Sequence, residues 1–519
     1  MSKQKLIFGF VTAGLFSLIL FSVVSKKITP CTASDSAAYI EAARNLRAGK
    51  GLTVSTLWVY PIDRDTQQLS WWPPGYSLMI AWVSSFNINE KTAATIIPKF
   101  FFLLLPFAFF LVLRFFMRDA PAFASAVIIT FMWPTSALSL MALSDLPFLF
   151  VSLLSFYLLF KSLAGKQVHY SFMAGMSAAF AVAIRYMGYN LFLGTVTGLL
   201  LALFMRTITR KNYFRIQTFY FFGFALGYLP LFLRNVFTLH TLQPFHAPPE
   251  PTTFLWPIIK FLKELACMLL GIWPGYGIYL AGLILLLSLV VYYFKLGRVL
   301  EHCRQNPLKT TYLLICISYL FYAILLFTFI GPRYLGGITI EFRLLIPYCW
   351  LIVVFFIFAI EFFCRRIETR FKFSRKWAVL IILVLFFAAQ FYALGVWINR
   401  EKPQSDALVK LGSEIGLVNT INALPYDAYI ISNCGPYLRL LTGRSVRKLS
   451  LPYMNFTPRE LADLVCPTRP LYVILVYNPG VSGILPASWL SIGKNPLPAG
   501  YRCVFRSGTA IILCHEKEV

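Results

Sequence analysis

Two aspartates stand where a carboxylate is costly to keep. Asp35 opens the stretch SDSAAYIEAARNLRAGKG shortly after the apolar run at residues 6 to 24, and Asp145 sits alone in ALSDLPF between two long apolar runs. An ionisable side chain at membrane depth costs at least a few kcal/mol, so such residues are functional candidates by default. A carboxylate there can take a proton from a hydroxyl, or it can do no more than cap a helix. Thr32-Ala33-Ser34-Asp35 fits a capping box, in which Asp35 satisfies a backbone N–H. Asp145 could likewise be a partly hydrated loop acid capping a helix that starts near Pro147. Both roles stay open for both residues.

Three arginines could supply the complementary charge. Arg343 lies in GPRYLGGITIEFRLLIP (residues 331 to 347), and Arg185 and Arg234 lie at the ends of apolar runs. A guanidinium fork binds phosphate bidentately, although an arginine at a span end can also snorkel to the headgroups. Arg44 and Arg47 read instead as a solvated helix face. Tyr39, Trp71, Trp72 and Tyr76 flank the same stretches and could border a substrate or anchor the interface. His240, His246 and Glu250 could bind a divalent cation, though histidines six apart in a proline-rich loop are more simply exposed polar residues. No CxxC spacing is present, so no structural zinc site is assigned, and no cofactor motif is found.

The elements that must position these residues are mostly membrane spans. Of the 519 residues 58% are hydrophobic and only 13% charged, against about 25% charged in soluble domains. Runs of about 20 apolar residues cross a bilayer, and eleven candidates precede residue 398. They fall near 6–24, 92–116, 120–138, 146–163, 170–185, 189–206, 216–236, 275–295, 310–330, 344–363 and 377–397. The net charge of +26 does not indicate nucleic acid, because Lys and Arg cluster in alternate short loops, as the positive-inside bias requires. That bias places the outer loop 25–91 and the region 398–519 on the outer side of the membrane, with a bacterial inner membrane and a periplasmic face as the expected setting.

The outer loop holds two pieces. In the first, Tyr39, Ile40, Ala43 and Leu46 recur at helical spacing, which predicts a helix lying flat at the interface and stopped at Gly49-Lys50-Gly51. In the second, SWWPPGYSLMIAWVSSF (residues 70 to 86), Pro73 and Pro74 can only open a helix. Residues 398–519 read as a small α/β domain: a helix at 404–421, strands at 429–432 and 471–477, a second helix from Thr457-Pro458, and a hairpin at 501–514. Cys434, Cys466, Cys503 and Cys514 fall in this region, which permits disulfides in an oxidising compartment.

The pattern D-x-x-x-Y-x-x-x-A-x-x-L-x-x-G-x-G directly after the first span matches Asp35, Tyr39, Ala43, Leu46, Gly49 and Gly51. With PPGY at 73–76, SDLP at 144–147 and EFRLLIP at 341–347, it resembles the GT-C glycosyltransferases, in the branch of the protein O-mannosyltransferases and lipid A aminoarabinose transferases. Each motif is short; their order and shared side carry the resemblance. It implies a polytopic helical fold and transfer of a sugar from a polyprenyl or dolichyl monophosphate to a hydroxyl of a glycan, lipid or protein, with Asp35 as base and Asp145 in support. The aminoarabinose transferases have a basic residue before the Pro-Pro pair, whereas Trp72 stands there in this chain. Phosphate binding would then rest on Arg343, Arg185 or Arg234. A multi-span transporter or flippase is the competing class, and an inactive scaffold a third; a transporter would show internal repeats and coupling charges at the midplane.

Overall fold

In the computed structural model the described residues are 3–24, 34–55, 66–240, 306–327 and 375–448, with 261, 263–264, 267–268, 343–348, 350–351, 470–476, 497, 501–507 and 510–515. The chain divides into two compact units, one of residues 1–21, 70–76 and 96–397, the other of residues 22–69, 77–95 and 398–519.

The first unit is helical. Its elements are α1 (Lys3–Val24), α4 (Glu90–Leu113), α5 (Asp119–Thr130), α6 (Trp133–Ser139), α7 (Asp145–Gly165), α8 (Val168–Ile184), α9 (Gly188–Phe204), α10 (Arg210–Leu239) and α11 (Pro307–Leu325). α1 and α4 run past its boundaries at their ends. Glu90–Leu113, Asp145–Gly165, Arg210–Leu239 and Pro307–Leu325 are each long and apolar enough to cross a membrane. The run expected as one span at 120–138 is instead broken: α5 and α6 meet at 59°. The helical ladder stops at Met132-Trp133, ahead of Pro134, and the Trp133 N–H donates to Gln390 Oε1 at 3.0 Å while its indole N–H donates to the Cys267 carbonyl at 3.1 Å. In lipid every backbone donor needs a partner within the protein, and Gln390 supplies one. The span expected at 275–295 lies outside the described residues.

The helices pack through small residues. A Cβ added at Gly175 of α8 would meet the Tyr220 carbonyl of α10 at 2.0 Å, and one at Gly223 of α10 would meet the Phe172 carbonyl of α8 at 2.1 Å. Serines add bonds across the same helices, Ser171 Oγ to the Ile216 carbonyl (2.7 Å) and Ser155 Oγ of α7 to the Ala174 carbonyl (2.8 Å). Small-residue contacts and interhelical hydroxyl bonds of this kind are what hold helices together in a membrane.

The second unit combines the loop segments with an α/β layer. It contains α2 (Ser34–Arg47), the two-stranded ribbon β1 (Thr53–Ser55) and β2 (Thr66–Gln68), and most of α3 (Gly75–Ser84). After residue 397 come the end of α12 (Arg375–Ser413), α13 (Ile415–Ala423), β3 (Tyr429–Ser432), α14 (Gly435–Thr442), β4 (Val446–Lys448), β5 (Leu471–Val476), β6 (Tyr501–Arg506) and β7 (Ala510–His515). The sheet order is β4-β3-β5-β7-β6, with β3 parallel to β4 and β5, and β7 antiparallel to β5 and β6. LYVILV is buried throughout, as a central strand covered on both faces must be. The helix expected at 404–421 is the end of α12 followed by a separate α13, and the helix expected from Thr457 lies outside the described residues. Cys434, Cys503 and Cys514 are free thiols, and Cys466 lies outside the described residues.

Candidate functional site

The turn between α8 and α9 gathers most of the candidate residues of the first unit. α8 ends at Ile184, Arg185 takes an extended conformation (φ −148°, ψ 133°), and the chain re-enters a helix at Gly188. A Cβ at Gly188 would meet the Val182 nitrogen at 2.4 Å, so glycine allows the turn to close. The extended backbone points Arg185 at the start of α7. There its Nη1 lies 2.8 Å from Asp145 Oδ2 and donates to Ser144 Oγ at 3.3 Å. Asp145 is 1% exposed, so it is a buried ion-paired acid rather than the partly hydrated loop residue that helix capping alone would produce. Such a pair must be well fitted, because two charges have been taken out of water.

Three further elements meet this turn. The Tyr186 hydroxyl approaches the Ser70 carbonyl at 3.5 Å, and a Cβ at Gly75 would meet the Ala183 carbonyl at 2.5 Å, so the WWPPG stretch lies directly against the end of α8. Trp71 and Trp72 are half-buried there and Tyr76 is buried. Burial pushes the Tyr186 phenol up to about 12, and Arg234 of α10, hydrogen-bonded to it, pulls the other way. Arg234 also donates to Asn235 Oδ1 at 3.4 Å. Finally, Asn190 near the start of α9 donates to the Tyr348 hydroxyl at 2.9 Å, and Arg185 acts on Tyr348 electrostatically. Arg343, half-buried, begins the helical stretch 343–348 that carries Tyr348. Arg185 and Arg234 thus flank a single turn, and the helix of Arg343 is fastened to the same turn. Among the described residues this is a cluster of arginines and aromatic rings with one buried acid, an arrangement that can take an anionic group such as a phosphate.

Asp35 and Tyr39 belong to the second unit. Asp35 is the second residue of α2 and half-buried, Tyr39 is buried, and Thr32 of the expected capping box lies outside the described residues. α2 ends as the glycines predict: Gly49 and Gly51 have φ of +75° and +74°. It is not a helix resting on lipid, however. Ala38, Tyr39, Ile40, Ala42 and Ala43 are all buried, and the helix packs on α14 and β1. Its polar face is not simply solvated. Glu41 accepts from the Ser55 N–H at 2.9 Å and from Arg439 Nη1 at 3.1 Å, while Arg47 pairs with Glu90. Neither Glu41 nor Arg439 stood out in the sequence. The available signal was an arginine among leucines in YLRLL, on a stretch too short to stand out as a helix.

His240 is exposed in a left-handed cap (φ 53°) at the end of α10, and His246 and Glu250 lie outside the described residues. Among the described residues no group of three His, Cys, Asp or Glu side chains could hold a metal ion.

No protein-family model matches the chain, and no curated protein matches it. Solved structures do. One is ArnT from Cupriavidus metallidurans bound to undecaprenyl phosphate, at 10% identity and TM-score 0.58, covering 100% of this chain and 99% of that one. Another is the oligosaccharyltransferase of Archaeoglobus fulgidus tethered with an acceptor peptide, at 14% identity and TM-score 0.57, covering 92% of this chain and 69% of that one. A third is the archaeal oligosaccharyltransferase AglB of Archaeoglobus fulgidus in complex with an inhibitory peptide and a dolichol-phosphate, at 12% identity and TM-score 0.52, covering 91% and 69%. The likeness runs the length of the chain and is one of architecture: this is a polytopic helical membrane protein of the GT-C fold with a small C-terminal α/β region, whose described strands begin at Tyr429.

Proposed function

We propose that the protein is an integral membrane glycosyltransferase that moves a sugar from a polyprenyl-phosphate carrier to an acceptor hydroxyl on the outer side of the membrane. The observation that carries the reading is the full-length likeness to a structure bound to undecaprenyl phosphate. The arginine-flanked turn at residues 185–188, with Asp145 paired beneath it, supports it independently. In this reading Asp35 removes the acceptor hydroxyl proton. The oxygen attacks the anomeric carbon, and the bond from that carbon to the phosphate oxygen breaks with its electrons passing to the phosphate. The products are a glycosylated acceptor, polyprenyl phosphate and a protonated Asp35. Arg185, Arg234 and Arg343 offset the charge on the departing phosphate, and Asp145 holds Arg185 in place. Trp71 and Trp72 border the sugar, whereas Tyr76, expected beside them, is fully buried.

The test is release of polyprenyl phosphate from a labelled polyprenyl-phosphate sugar by the purified protein. Asp35→Asn retains capping ability but cannot take the proton, so turnover should fall by about 10²-fold or more with melting unchanged. Parental turnover in that variant would make Asp35 a helix cap only. Passage of intact donor across proteoliposomes, with the sugar–phosphate bond unbroken, would replace the reading with a transporter. For orientation, exposed Cys503 is the appropriate probe and buried Cys434 is not. Cys503 should react with an impermeant thiol reagent from the outer side.

A further inference from the structure

The joint between Glu41 and Arg439 has a shape that stability alone does not account for. Arg439 Nη1 donates to Glu41 Oε2 at 3.1 Å and to the Ser55 carbonyl at 3.2 Å, and Glu41 Oε1 accepts from the backbone and hydroxyl of Ser55. Three elements, α2, β1 and α14, therefore converge on one guanidinium nitrogen. α14 is itself fixed in the α/β layer, with Leu438 and Leu440 buried beside Arg439. Yet Arg439 is 3% exposed and its Nε and Nη2 have no hydrogen-bond partner among the described residues. Burial draws the Arg439 guanidinium downward from its usual range while Glu41 opposes that, and an arginine stays charged through such shifts. A buried charge with three of its five N–H donors unanswered is an expensive fastening, and apolar residues of similar volume often hold a fold as well or better.

What the joint does supply is direction. Glu41 lies on α2 between Asp35 and the fastenings nearer its C-terminus, where Asn45 Nδ2 donates to the Thr53 carbonyl at 2.8 Å and Arg47 pairs with Glu90. Asp35 is six residues before Glu41, about 9 Å along the helix axis. We propose that Arg439 is a positioning residue: through Glu41 it sets the rotation of α2 and thereby the aim of Asp35, so that the α/β layer holds the candidate base in register. The functional half of this rests on Asp35 acting as the base; the mechanical half does not.

The experiment compares the full-length parent with the Glu41→Leu/Arg439→Met double variant and with Arg439→Lys in detergent. Melting, hydrogen exchange of the α2 amides and sugar transfer are measured on each. The double variant removes both charges but takes these partners from Ser55, so it should melt somewhat below the parent, with exchange quickened chiefly in α2 and turnover lowered by about 10-fold to 10²-fold, as for a misaimed group. The effect should fall on kcat rather than on donor KM. Arg439→Lys keeps the charge without the fork and should fall between the two. α2 exchange and turnover equal to the parent's in the double variant would overturn the proposal. If the double variant does not fold, parental α2 exchange and turnover in Arg439→Lys overturn it equally, and a change in both supports it. Should the parent transfer no sugar at all, faster α2 exchange still establishes the joint, and it is the glycosyltransferase reading that fails.

Discussion

Arg185 reaches the Ser144-Asp145 pair across about 40 residues of chain, whereas Arg439 reaches Glu41 across 398. The first pair joins consecutive helices, so the hairpin of α7 and α8 brings its partners together as soon as it forms. The second exists only once the loop helix and the late α/β layer have met. The two also differ in completeness. Arg185 touches a carboxylate and a hydroxyl and keeps some exposure to solvent, while among the described residues Arg439 leaves its Nε and Nη2 buried and unanswered. A short-range pair can serve the site and the fold together. A long-range, partly satisfied pair can lose its charge at modest cost to the fold and still matter for aim.

The strongest way to break this contrast is Arg185→Leu. It strands the Asp145 carboxylate in a buried place, which should cost about 3–5 kcal/mol, seen as a lower melting temperature in detergent together with loss of transfer. Adding Asp145→Leu should restore most of the stability and none of the transfer. Glu41→Gln is the milder counterpart. It keeps the shape and one acceptor oxygen, so about 1–3 kcal/mol is expected from weakening a charge-assisted bond, measured by the same melts. If Glu41→Gln proves costlier than Arg185→Leu, the two pairs have been ranked in the wrong order.

Arg47→Ala sharpens the comparison from the surface side. The Arg47–Glu90 pair has a side chain 38% exposed on its basic end, so less than about 1 kcal/mol should be lost. Smallest of all is Glu401→Gln, which tests an acid shifted by burial without a buried cation. Burial raises the Glu401 carboxyl, and the neighbouring Arg400 lowers it less. A raised folded value favours the protonated form, so this contribution is complete below the ordinary carboxylate range, about 4.3, and is lost as pH rises through the folded value. Glu401→Gln should therefore leave neutral-pH melting equal or slightly higher and flatten its change across mildly acidic pH.

The same contrast explains what could be read in the residues beforehand. Helical spacing, the Gly49-Lys50-Gly51 stop and the Pro73-Pro74 start are local signals, and α2 and α3 follow them. The strands at 429–432 and 471–476 follow from short apolar runs between turn residues. The environment of α2 was not legible, because whether Ile40 and Ala43 face lipid or a protein helix depends on residues near 440 and leaves no trace in residues 34–47. The broken span at Met132-Trp133 escaped for a related reason. Pro134 alone suggests a kink, but a break of 59° needs Gln390 to receive the exposed N–H. Asp145 and Arg185 were each visible as candidates, and their pairing required the turn at Gly188.

The reciprocal approach of Gly175 and Gly223 carries a consequence for handling the protein. α8 and α10 touch backbone to backbone, with Ser171 stitching the same seam. Contacts of that kind depend on fit rather than on escape from water, so exchanging lipid for detergent removes little of what joins the two helices. This seam should outlast solubilisation, and the turn bearing Arg185, one end of which is the end of α8, should keep its shape in micelles mild enough to leave the rest of the bundle assembled.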